Sequence, residues 1–165
     1  MTRPVAFDLD GLLAENKLSI IDMKEFKNLT VQQKQDLLKY PVYISLLAAT
    51  DSKLDEAERM AAIKFAHTKA FSCHPPLADF CRESDLEFQN NLAQIESVLP
   101  KDKKGREAAI QKELLNLETI LSRLGKEYGA AMHHSLKTFR EHVLKAHHSV
   151  IEDFILPISI PGLTE

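Results

Sequence analysis

Between Ile110 and Leu124 the residues Ile110, Leu114, Leu117, Leu121 and Leu124 recur at alternating spacings of four and three. A strand turns its faces every second residue, so this spacing commits the segment to a helix with one apolar stripe. Such a stripe has to be covered by other helices. A second stripe follows at Leu136, Phe139, Val143, Ala146, Val150 and Phe154, with Gly125 and Gly129 bracketing the turn between the two. The pair is expected to form a long antiparallel hairpin over about residues 104–156.

The remainder is written in the same alphabet. Leu, Ala, Lys, Glu and Gln recur, only five glycines and seven prolines punctuate the chain, and alternation of β-branched residues is nearly absent. The expected fold class is therefore all-α, a multi-helix bundle. At 165 residues and 44% hydrophobic content the chain fills one core, so a single domain is expected, with a helical core over about 16–99, the hairpin, and a tail at 157–165. Start and stop signals divide that core. A short helix is expected over Leu18–Phe26. Thr30 and Gln33 have capping-box spacing, Pro41 suits the first turn of a new helix, and Asp55 and Glu58 form a second box. His74-Pro75-Pro76 breaks the chain; a short helix over Leu77–Cys81 and a fresh start at Ser84-Asp85-Leu86-Glu87 are expected after it. The run Lys101–Arg106 reads as a charged, solvated linker.

Charge restricts the partners. With 24 acidic and 21 basic residues the formal charge is -3, which leaves no basic footprint for nucleic acid or an anionic membrane. No stretch reaches the roughly 20 apolar residues that span a bilayer. Without an N-terminal apolar signal run, a cytoplasmic location is expected, with Cys73 and Cys81 as reduced, buried thiols beside the proline turn.

Two stretches resemble known families. Val5-Ala6-Phe7-Asp8-Leu9-Asp10-Gly11 resembles the first motif of haloacid-dehalogenase-type phosphatases, which would make Asp8 the nucleophile and Asp10 the acid/base beside a magnesium ion. That chemistry needs both aspartates at the carboxyl end of a strand in a doubly wound sheet. No later strand is readable in this chain, so no enzyme is expected and the two aspartates are assigned to a polar turn. The second stretch, about residues 37–66, carries an apolar helix ending Ala48-Ala49, an acidic turn Asp51-Ser52-Lys53-Leu54-Asp55, and a second apolar helix containing Glu58. It resembles the core of TerB-like domains, the family named for tellurite-resistance protein B, with Ser52 where that family carries glycine. The resemblance implies a small helical partner-binding or stress-response accessory module. It also implies a divalent metal site at Asp51, Asp55 and Glu58, against which stands the use of Asp55 and Glu58 as helix caps.

Five of seven histidines crowd the last helix. Only His148 with Glu152 has the spacing of an intrahelical ligand pair, and the Glu-x-x-His of di-iron bundles is missing. His142 and His147 should flank the apolar seam, and His133, His134 and His148 should lie toward solvent. Cys73, Cys81, His67 and His74 lack the Cys-x-x-Cys spacing of structural zinc. The function expected is a non-enzymatic interaction module without cofactor, acting on a protein partner or a second copy of itself. The alternative is a metal-binding helical protein using the acidic turn or the C-terminal histidines, with a haloacid-dehalogenase-type phosphatase as a distant third reading.

Overall fold

A nine-residue helix of which every residue is buried organises the molecule. The computed structural model describes residues 26–49 and 52–146, and among the described residues every regular element is helical. Residues 26–28 are helical, and after them six α-helices follow one another among the described residues: α1 (Val31–Leu38), α2 (Tyr40–Ala48), α3 (Glu56–Ser72), α4 (Ala78–Val98), α5 (Lys103–Leu121) and α6 (Lys126–Ala146), with single 3-10 turns at Pro75–Leu77 and Ser122–Leu124. The buried helix is α2, Tyr-Pro-Val-Tyr-Ile-Ser-Leu-Leu-Ala. Pro41 occupies its first turn, where a missing N–H costs nothing. Ser45, its one hydroxyl-bearing aliphatic side chain, donates to the Pro41 carbonyl at 2.8 Å and so carries no orphaned group into the core.

A helix that is apolar all round needs neighbours on every side. Here they are α1, α4, α5 and α6, while α3 lies across α4 and α6. The buried side chains form one cluster running from Phe26 to Val143. Within it Phe139 of α6 meets Phe65 of α3 at 5.4 Å and Phe88 of α4 at 5.9 Å, ring centre to ring centre. Arg59 of α3 places Nη2 on both carboxylate oxygens of Glu96 of α4 at 2.9–3.0 Å, tying these helices on their outer side.

Both expected capping boxes are present. Thr30 accepts from the Gln33 amide at 3.2 Å while the Gln33 side chain accepts from the Thr30 amide at 3.0 Å, and Asp55 and Glu58 do the same for α3. The seams at Ile110, Leu114, Leu117, Leu121, Leu136, Phe139 and Val143 are buried. Chain reversal between α5 and α6 uses Gly125 at φ 84°, a conformation that favours glycine. Each of these two helices packs more extensively on α2 than on the other, so the hairpin is spread by the helix it grips.

Three expectations are corrected. No break occurs at Ser84: α4 runs unbroken from Ala78 to Val98 and Ser84 is buried inside it, because a cap-like tetrapeptide ends nothing when the residues before it are already helical. The run read as a linker begins α5 at Lys103, with Asp102 as the cap accepting from the Gly105 amide at 2.7 Å. Lastly, Cys73 and Cys81 are joined as a disulfide rather than held as thiols. The turn at His74-Pro75-Pro76 folds α3 onto α4 so that the two Cα atoms stand 6.4 Å apart, within reach of a bridge.

Closing this eight-residue loop should stabilise the fold by about 2.5 kcal/mol through the entropy removed from the unfolded chain. Denatured protein should titrate no thiols before treatment with a dithiol reductant and two per chain after it. The reduced form should unfold at correspondingly lower denaturant. Two titratable thiols in the untreated protein would refute the bridge.

Candidate functional site

The acidic turn opens α3. Asp55 accepts from the Glu58 amide at 2.8 Å and the Glu58 carboxylate accepts from the Asp55 amide at 2.9 Å, so both carboxylates serve the start of α3. Glu58 is 1% exposed. Ser52 adopts φ 53°, the left-handed conformation for which glycine is usual. Its carbonyl accepts two bonds from Arg106 of α5, Nε at 3.1 Å and Nη2 at 2.8 Å, while Nη1 reaches the Pro100 carbonyl at 3.4 Å. A buried guanidinium from 54 residues away thus fixes the strained serine. Asp51, the third residue of the expected metal set, lies outside the described residues, as do His148, Glu152, Asp8 and Asp10. Among the described residues no group of three His, Cys, Asp or Glu side chains is placed to hold a metal ion.

Three of the described histidines, His67, His133 and His142, have side-chain partners within the fold. His67 Nδ1 meets Asp85 at 3.0 Å, and its ring lies edge-on to Phe71. His142, placed beside the seam by its spacing, stacks on Phe65 with ring centres 4.1 Å apart and planes 10° from parallel. That covered face holds its pKa below the ordinary 6.5, and Lys145 and Lys64 push the same way. His133, expected toward solvent, points inward with its side chain 14% exposed.

His133 belongs to a cluster that joins three helices. Its Nε2 stands 2.9 and 3.0 Å from the two carboxylate oxygens of Glu118 of α5, and the hydroxyl of the fully buried Tyr40 of α2 donates to the same carboxylate. A carboxylate can only accept, which assigns the proton at this contact to Nε2. Burial, reinforced by the Glu118 charge, drives the Tyr40 phenol far above its ordinary pKa, so it remains a donor. Beside the cluster, where α5 turns into α6, lies a groove of about 580 Å³ lined by Glu118, Leu121, Gly125, Gly129, His133 and Lys137 among others.

A second groove, of about 540 Å³, runs between α1 and α4. Val31 and Leu86 border it at 73% and 76% exposure, high for apolar side chains. Its α1 side carries Lys34 and Lys39, and its α4 side carries Glu83 and Glu87. No family model, curated protein or solved structure matches the chain.

Replacing Tyr40 by Phe removes one bond to a charged acceptor and should cost about 1.5–3 kcal/mol in denaturant unfolding. A cost near zero would show that the hydroxyl is not used. For His142 the sign follows from its lowered pKa: stability linked to its neutral ring is complete above pH 6.5 and is lost as pH falls through the folded-state value. The imidazole resonances should titrate below 6.5, and Phe65→Ala should move the midpoint upward toward 6.5. An unmoved midpoint would remove the stacked face as the cause.

Proposed function

We propose that this chain is a non-enzymatic helical interaction module of the TerB-like accessory kind, presenting the α1–α4 groove to a protein surface, most simply a second copy of itself. The observation that carries the reading is the pair of exposed apolar side chains, Val31 and Leu86, bordering a groove whose walls carry opposite charge. An apolar border inside a polar rim is the composition of a protein contact. The sign pattern favours the second copy. Under a two-fold axis running along the groove the basic wall of one chain, Lys34 and Lys39, the latter shared with Asp36 of its own helix at 3.2 Å, lies on the acidic wall of the other, Glu83 and Glu87, and both contacts form twice. The acidic turn supports the TerB-like kind through the left-handed Ser52 and the helix that Asp55 opens. The metal-binding alternative draws less support, since Asp55 and Glu58 are spent on backbone amides.

Light scattering across a concentration series tests the reading. The wild type should approach twice its monomer mass. The double variants K34E/K39E and E83K/E87K should each remain monomeric, and an equimolar mixture of the two should recover the doubled mass. A wild type that stays monomeric at its solubility limit, or a mixture that fails to pair, would sink the two-fold contact.

A further inference from the structure

Covalent chemistry, more than packing, holds the corner where α3 turns into α4. Ala66 is the last buried residue of α3, and none of the ten residues from His67 to Pro76 is buried. Burial resumes at Leu77, so the end of α3 and the turn after it overhang the core. Phe71, at 82% exposure, projects from this overhang into solvent.

The noncovalent ties across the corner are weak. His67 meets Asp85 of α4 at 3.0 Å, but its side chain is 66% exposed, and a pair so wetted contributes little. The ring contact of Phe71 with His67 and the position of Lys69 over the Phe65 ring stay within α3. Hydroxyls of Thr68 and Ser72 donate back to the carbonyls four residues earlier, an arrangement that slightly weakens a helix. The firm tie is the bond from Cys73, the C-cap of α3 at the margin of the core, to Cys81. Cys81 is 5% exposed, on a stretch of α4 anchored by the buried Phe80 and Ser84, so the α4 side of the bridge stays fixed when the bond is broken.

We propose that the Cys73–Cys81 bridge is a reversible redox latch, whose reduction by a dithiol frees residues 67–76 from α4 while the rest of the fold stays in place. Cys73 is the more open of the two residues, so its sulfur is the one attacked from solvent. The thiolate of the reductant attacks Sγ of Cys73, the bond between the two Sγ atoms breaks, and Cys81 leaves as a thiolate that takes a proton from water. The second thiol of the reductant then attacks the mixed disulfide at the reductant's own sulfur, and Cys73 leaves in the same way. The protein gains two electrons and two protons, and the reductant becomes a cyclic disulfide. Without the bond the overhang opens locally, as a unit. None of its residues lines the α1–α4 groove, so the latch stands or falls apart from the contact proposed there.

Relaxation measurements on the nitrogen-labelled full chain, with and without excess dithiothreitol and in the absence of denaturant, test the latch. Backbone order parameters over residues 68–74 should be about 0.85 in the bridged protein and fall below about 0.6 on reduction, whereas those of α2 and α6 should not change. Oxidised glutathione should restore the bridged values. Cys73→Ala, which leaves the buried Cys81 in place, should show the open values with or without dithiothreitol. Three results would overturn the latch: a bridge that resists dithiothreitol until the protein is denatured, order over 68–74 that is undiminished in the reduced protein or in the folded variant, or a reduction that collapses signal dispersion throughout the chain.

Discussion

Everything in the architecture answers to the burial of α2. A nine-residue helix is too short to hold its shape in water on its own, and this one offers solvent no polar face. Its existence depends on four other helices closing around it, and their stripes find their cover on it in return. Two polar side chains that α2 carries inward are answered, Ser45 by the Pro41 carbonyl and Tyr40 by Glu118. Leaving either unpaired would cost about 1–3 kcal/mol, a large share of the stability of a domain of this size. Tyr40 also gives the packing a register. Its hydroxyl has one acceptor, that acceptor is shared with His133, and the three together fix the ends of α2, α5 and α6 relative to one another.

The acidic turn shows how one pattern of residues can serve two readings. Carboxylates at Asp55 and Glu58 look like ligands when counted as oxygens and like caps when counted as acceptors for amides. In the fold they accept from backbone at 2.8 and 2.9 Å, and the turn beside them is held by a guanidinium. The strain of Ser52 is thereby shared with a helix far along the chain.

Legibility divided along the range of the interactions. Capping boxes at Thr30 and Asp55 and the stripe from Ile110 to Leu124 are local patterns with local causes, and they were readable. Ser84 misled because a cap is a property of a helix end, and the tetrapeptide does not say whether the preceding residues are helical. The bridge between Cys73 and Cys81 depends on how a proline turn folds two helices together, which spacing alone leaves open. Arg106 did leave a trace: it stands four residues before Ile110, on the same stripe as Ile110 and Leu114, so its place in the seam was written there under a charge that argued for solvent. The Tyr40–Glu118–His133 cluster left none. Tyr40 and Glu118 are 78 positions apart, and only the three-dimensional path of the chain brings them together.

That long separation bears on synthesis. A chain is made from its N-terminus, so residues 40–48 leave the ribosome about a hundred positions ahead of Val143, the last buried contact described on α6. Throughout that interval the nascent polypeptide carries an apolar segment whose cover is incomplete, since α1 precedes it but α4, α5 and α6 follow. Completion of this fold is a late event that waits on α6, and an apolar segment left partly bare until then is open to non-native contacts.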